Sequence, residues 1–242
     1  MHRRSHFESM DSTKKQARVA GVLYLGLGIT APIGLVYIPG KLIVPGDATA
    51  TADRIRASES LVRLGIASEL IHQVIVVFLV LALYRLFRTV NEALARQVVI
   101  LGALVSVPIV FVNVLNELAA LVLAGGADFL SAFDRPQRDA LAFLFLRLHG
   151  EGILVAAVFW GLWLFPFGLL VIRSGFIPRT LGVSMIVAGV AYLANSFTSL
   201  CLPQHEHLVR PLAGILELGE LPIVFWLLIW GARRRATEAP AA

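Results

Sequence analysis

Six apolar stretches, each long enough to cross the hydrocarbon core of a membrane, dominate the sequence. A helix needs about 20 residues to span that core. The continuity of these stretches differs from the alternating pattern of a transmembrane barrel, and only helices or closed barrels satisfy every backbone group in lipid. The sequence therefore predicts an all-α, polytopic transmembrane six-helix bundle. The six stretches cover approximately residues 19–38, 64–84, 98–123, 141–172, 181–202 and 208–230.

The composition supports this class and excludes an ordinary soluble domain. Hydrophobic residues make up 57% of the 242 residues and charged residues 15%, and the mean hydropathy is +0.79. A soluble domain carries about 25% charged residues. The net charge is +5, but the basic residues lie at helix ends rather than in a stripe with interleaved aromatic residues. We therefore expect membrane lipids as partners and no binding of nucleic acid.

Positive charge gathers at one end of the predicted bundle. Thirteen of the 21 Lys and Arg residues lie in the two tails and in the short turns after the second and fourth helices. Because cytoplasmic segments carry an excess of Lys and Arg, both termini are predicted to be cytoplasmic. The thirteen residues are Arg3, Arg4, Lys14, Lys15, Arg18, Arg85, Arg88, Arg96, Arg173, Arg179, Arg233, Arg234 and Arg235.

The predicted domain organisation is one transmembrane domain between two tails. Residues 1–17 and 236–242 are polar or small and are predicted to be disordered, and residues 18–235 form the six-helix domain. Two turn-forming pairs, Pro39-Gly40 and Pro45-Gly46, lead into a polar, Ala-rich segment. This segment predicts an outer loop helix near 47–62, either a lid over the bundle or a spacer between two spans.

Polar side chains interrupt most of the predicted spans, in the half of the bundle that faces away from the cytoplasm. Glu69 and His72 share one face of the second helix, and Asn113 and Glu117 share one face of the third. A charged group at the bilayer centre costs about 2.5–3.5 kcal/mol, so such residues face a protein interior or a wet cavity. We predict a polar chamber that opens outward. Its predicted lining residues are Glu69, His72, Asn113, Glu117, His149, Glu151, Asn195, Glu217 and Glu220.

These residue types include candidate metal ligands. A Glu-x-x-His pair on one helix, with carboxylates and a histidine from other helices, is the ligand pattern of carboxylate-bridged bundle sites. Zinc would need fewer groups and would leave a position open for water. The candidate ligands are His72, His149, Glu69 and Glu220. Paired His72 and His149 also match the axial ligands of haem, but nothing else in the sequence favours haem.

Three classes of function stay open at this stage. The chamber suits the binding or transport of a small molecule, a cation or a lipid. It also suits a membrane-embedded metalloenzyme, and an inert polar network would suit a structural or regulatory subunit. The sequence has no Gly-rich phosphate loop, no Gly-x-Ser-x-Gly elbow and no His-Glu-x-x-His helix, so it does not decide whether the protein is an enzyme. The oligomeric state stays open as well.

Four short motifs resemble a known family. They are GVLYL at 21–25, ALYRLF at 82–87, FWGL at 159–162 and SGFIPRTLG at 174–182. These motifs are similar to those of a bacterial family of uncharacterised six-helix integral membrane proteins, known only as a domain of unknown function. The resemblance covers nearly all of 17–233. It implies the same fold and a bacterial plasma membrane, and it brings no activity, cofactor or catalytic residue.

Reporter fusions test the predicted topology. Green fluorescent protein fused after residue 242 is expected to fluoresce, and alkaline phosphatase fused there is expected to be inactive, because that end is predicted to stay in the cytoplasm. The same reporters fused within 47–62 are expected to show the opposite pattern. Active phosphatase at the terminus, measured in whole bacterial cells, would contradict the predicted orientation.

Overall fold

The computed structural model describes the backbone of residues 2–232 and the side chains of residues 13–232. Within this part of the chain there is no strand, and six helical segments are long and apolar enough to cross a membrane. The predicted all-α six-helix class is therefore confirmed. The segments, numbered here as first to sixth span, are Thr13–Leu42, Glu59–Phe87, Glu92–Gly125, Arg135–Ser174, Arg179–Cys201 and Pro203–Ile229.

The spans are built from α-helices joined by short turns. Residues 2–17, for which the sequence predicts disorder, continue the first helix, whereas the predicted tail 236–242 lies outside the described residues. The α-helices in the described part are α1 (His2–Ala31), α2 (Ile38–Leu42), α3 (Ala48–Ala57), α4 (Glu59–Phe87), α5 (Glu92–Val99), α6 (Ser106–Gly125), α7 (Arg135–Ser174), α8 (Arg179–Cys201), α9 (Glu206–Glu217) and α10 (Leu221–Ile229).

Three spans depart from regular α-helical geometry. The first and third spans contain π-helical segments, Pro32–Tyr37 and Ile100–Val105, and the sixth has a 3₁₀ turn at Leu218–Glu220. Proline lacks the N–H that would bond four residues back, so Pro32 and Pro108 each remove one helical hydrogen bond there. Such insertions occur frequently at functional sites. All three lie beside polar side chains described below.

Glycines bring the fourth and fifth spans into close backbone contact. Gly161 and Gly168 of α7 are seven residues apart, as are Gly182 and Gly189 of α8. A Cβ added to Gly168 would lie 2.6 Å from the carbonyl oxygen of Gly182, and one added to Gly161 would lie 2.8 Å from that of Gly189. Small residues at membrane helix interfaces permit this approach. The two spans therefore pack as one unit.

The main apolar core lies between the spans and contains several aromatic rings. Phe167 of α7 is fully buried, and its ring centroid lies 5.7 Å from those of Phe87 and Trp163. Tyr24 of α1 packs against the same ring at 6.4 Å. Aromatic pairs at these distances stabilise a core beyond the area that they bury. This core fixes the spans whose polar side chains form the site.

Helix α3 falls within 47–62 and packs against α7 and α6 at one end of the bundle, which we call the α3 end. Its N-terminus is capped by Asp47, whose carboxylate accepts from the N–H of Ala50 at 2.8 Å. Arg56 of α3 lies 2.8 Å from the carboxylate of Asp139, which is only 1% exposed. Arg56 also lowers the pKa of Asp53 by a hydrogen bond. These contacts hold α3 against the start of α7.

Substitution of Gly168 tests the close approach of α7 and α8. Gly168→Ala is expected to destabilise the protein by about 1–3 kcal/mol, because the new methyl group overlaps the opposite backbone. The measurement is thermal unfolding in detergent. Gly150→Ala is the matched control on the same helix, since its added Cβ meets nothing within 4 Å. Equal melting temperatures for the two variants would contradict the packing.

The ion pair between Arg56 and Asp139 is expected to hold α3 in place. Arg56→Gln should cost about 1–3 kcal/mol, because a buried carboxylate loses its closest donor. Arg63→Gln is the control, since Arg63 and Glu59 form an exposed pair of the kind that contributes little. Hydrogen exchange of residues 48–57 should accelerate only in the first variant. Equal exchange in both variants would show that the pair does not restrain α3.

Candidate functional site

Three buried ionisable side chains from three spans meet near the α3 end. Glu69 comes from α4, Glu117 from α6 and His149 from α7. One ligand atom from each lies within 4.8 Å of the others, and Glu69 Oε1 is 3.2 Å from His149 Nε2. The three residues are 3%, 6% and 7% exposed. We call this group the triad.

The triad is short of hydrogen-bond donors. Glu69 Oε2 and Glu117 Oε2 are both buried, and neither has a hydrogen-bond partner within the described residues. A buried carboxylate oxygen without a donor or a cation is costly, since burial removes its water. Two carboxylates face one imidazole here. With both carboxylates ionised, the group has a net negative charge even when His149 is protonated. A bound cation would supply what is missing.

Asn113 and Gly152 fix the position of His149. The Asn113 amide donates to the backbone oxygen of His149 at 2.9 Å and lies 3.2 Å from Nδ1 of its ring. The backbone carbonyl oxygen of Asn113 lies 3.4 Å from the same Nδ1. Nδ1 thus has a partner in either tautomer, which leaves Nε2 suited to a metal or a proton. A Cβ on Gly152 would collide with Oδ1 of Asn113, so any larger residue there would displace the Asn113 amide from His149.

A cavity of about 480 Å³ adjoins the triad, and we call it the polar cavity. Glu117, His149, Glu151 and Asn195 line it, as the sequence predicts for the chamber. Its lining is mixed: apolar side chains, mainly from α2, α6 and α7, stand beside polar and charged ones. Exposed charged residues stand among its lining, including Arg147, whose Nη2 lies 4.0 Å from Glu151. The cavity therefore combines an apolar wall with charged groups.

The predicted chamber is divided, because two of its nine residues line a different cavity. His72 and Glu220 line a second cavity of about 450 Å³, and neither belongs to the triad. His72 contacts Thr30 of α1, and Glu220 contacts Tyr24 and Tyr192. Helix geometry explains the separation from Glu69, since residues three apart differ by about 60° around the helix axis.

Glu217, which the sequence also assigns to the chamber, lines neither cavity. Its carboxylate accepts a hydrogen bond from the side-chain amide of Asn195 at 3.0 Å, so it is tied to α8. Asn195 in turn lines the polar cavity. The two acids of the sixth span, Glu217 and Glu220, therefore have different partners, although only Leu218 and Gly219 lie between them.

The roles of several site residues could not be assigned from the sequence. Glu117 is placed in the chamber by the sequence but is absent from the candidate metal ligands, because the sequence does not define how α6 rotates toward α4. Tyr24 and Tyr192 look like ordinary aromatic residues in apolar helices. Gly152 is one of 20 glycines in the sequence, and its residue type alone does not mark a contact with Asn113. Its spacing of three from His149 is the available hint of a helix contact at this face.

Comparison with known proteins identifies a family but no activity. The family described as a domain of unknown function (DUF4386) matches residues 19–231, which confirms the resemblance seen in the sequence motifs. No curated protein and no solved structure matches the chain. The function therefore has to be argued from the triad and the two cavities.

Proposed function

The chain belongs to the DUF4386 family, and from the site geometry we propose that it is a multi-pass membrane protein that binds a divalent cation at Glu69, Glu117 and His149. The observation that carries the proposal is that two buried oxygens, Glu69 Oε2 and Glu117 Oε2, have no hydrogen-bond partner in the described part of the chain. An inert polar network would pair such groups internally, as nearly all buried polar groups are paired. A divalent cation would satisfy both oxygens.

The donor set favours a transition metal. Two carboxylates and one imidazole suit zinc, manganese or ferrous iron, whereas calcium and magnesium prefer sites made of oxygen alone. The three side chains come from three different spans, so a bound ion would hold these spans together. His72 and Glu220, two of the ligands predicted from the sequence, line the second cavity and are left out of this set.

The polar cavity would allow a bound cation to interact with a second ligand as well as to hold the spans together. Glu117 and His149 belong both to the triad and to the cavity lining, so a molecule in the cavity reaches the metal ligands directly. A cavity of this size accommodates a small molecule. Its apolar wall and charged residues favour a small amphiphile over a fully polar solute. We place this site at the outer face of the plasma membrane, with both termini cytoplasmic, on the loop charges.

Metal-assisted hydrolysis is the second candidate function. Three protein ligands leave a coordination position open, which is typical of catalytic rather than structural metal sites. When bound, the ion would act as a Lewis acid toward an ester or phosphoryl oxygen. Residues of this chain would bind and orient the substrate, with Arg147 placed in the cavity lining to bind an anionic group.

Metal analysis tests the proposal. Protein purified without chelator and dialysed against zinc, manganese or ferrous iron is expected to retain one ion per chain, measured by mass spectrometry of the elements. Glu117→Gln should lose that ion, because it replaces an anionic ligand with a neutral amide. Glu151→Gln is the matched control, since Glu151 lines the same cavity outside the triad and should keep the metal.

Unfolding gives an independent readout of the same site. Excess metal should stabilise the wild-type protein by about 2.7 kcal/mol at one hundred times the dissociation constant. The same addition should leave the melting temperature of the Glu117→Gln variant unchanged. Absence of metal from folded wild-type protein under all three conditions would overturn the proposal. Retention of metal by a folded Glu117→Gln variant would overturn the assigned ligands.

A further inference from the structure

The second cavity is a separate site with a different chemistry, and we call it the aromatic cavity. It shares no lining residue with the polar cavity. Tyr24, Trp160, Trp163 and Tyr192 contribute aromatic rings to its lining, and Glu220 contributes a carboxylate. The remaining lining is mostly apolar, from the first and sixth spans. A volume of about 450 Å³ lies in the range of small-molecule sites.

Glu220 is held in a fixed position with acceptor capacity to spare. The Tyr24 hydroxyl donates to Oε2 at 3.0 Å, and the Tyr192 hydroxyl donates to Oε1 at 3.0 Å. An ionised carboxylate has about four acceptor sites, so two tyrosines leave further sites unused. No Lys or Arg is present among the described residues that line this cavity. The carboxylate therefore has no Lys or Arg partner among the described residues that line the cavity.

His72 adds a second acceptor in one of its two neutral tautomers. The Thr30 hydroxyl lies 2.9 Å from the carbonyl oxygen of Gly26 and 2.9 Å from Nδ1 of His72, and with the imidazole proton on Nδ1 it donates to Gly26 and accepts from His72. A neutral imidazole with its proton on Nδ1 has an unprotonated Nε2. Trp160 uses its N–H on the Ser106 hydroxyl at 3.2 Å. These protein donors are occupied within the protein, while acceptor sites on Glu220 remain.

We propose that the aromatic cavity binds a lipophilic organic cation, an ammonium group carried on an aromatic or alkyl body. Aromatic ring faces attract a cation through their quadrupole, most strongly when water is excluded. The Glu220 carboxylate supplies the opposite charge, and His72 supplies an acceptor for an ammonium N–H. The apolar lining takes the body of the ligand. An anion would meet a carboxylate without a basic partner, so the cavity rejects it.

A pair of matched ligands tests this proposal on the full chain in detergent. Phenylbutylamine, which is protonated at neutral pH, and phenylbutanol share one skeleton and differ in charge. The amine is expected to bind about tenfold more tightly than the alcohol. Calorimetry gives both affinities, and quenching of tryptophan fluorescence reports the amine at the rings. Equal affinities would overturn the proposal, because the cavity would then select only for an apolar body.

Variants separate the aromatic cavity from the metal site. Glu220→Gln should remove the preference for the amine, and Glu217→Gln is the matched control, since this neighbouring acid of the same span lines neither cavity. Trp160→Leu should weaken the amine more than the alcohol, which provides a second test if Glu220→Gln does not fold. The Glu117→Gln variant should keep full amine preference. An unchanged preference in folded Glu220→Gln protein would overturn the assignment.

Discussion

The contact of Glu69 with His149 is the interaction on which the functional half of the bundle depends. It joins the second and fourth spans at 3.2 Å, where both side chains are buried. A carboxylate in such a place needs a partner, because its charge cannot be hydrated. Asn113 from the third span then positions the imidazole, and Gly152 leaves room for Asn113. Three spans are thus arranged around one requirement for charge compensation.

Departures from helical regularity give these polar groups their space. Gly34 lies in the π-helical segment of the first span, and a Cβ there would lie only 3.0 Å from Cγ of Glu69. Gly102 lies in the π-helical segment of the third span and also lines the aromatic cavity, where a Cβ would press on Trp163. Both irregular segments therefore bring a small residue to a polar or aromatic group.

The fold class follows directly from the sequence because six long apolar runs permit few other structures in lipid. The sequence determines less well which face of each helix is turned toward which neighbour. Glu69 and Glu117 were correctly expected to face a protein interior, since lipid exposure is costly. The division of the predicted chamber does not follow from the sequence. It depends on the rotation of α4 about its own axis, which places Glu69 against His149 and His72 against Thr30. The hydroxyl partners of Glu220 were missed for a related reason: a tyrosine in an apolar helix has the same pattern whether or not its hydroxyl meets an acid.

The 3₁₀ turn Leu218–Glu220 sets how α9 is rotated relative to α10. Each added or removed residue would rotate α9 by about 100° relative to α10. Glu217 would then leave Asn195, while Glu220 stayed with its two tyrosines. Within the turn, Gly219 and Glu220 are both constrained: a Cβ on Gly219 would lie 3.0 Å from the carbonyl oxygen of Ser184, and Glu220 bonds to two tyrosines. The length of this turn therefore decides which neighbours the two acids of the sixth span meet.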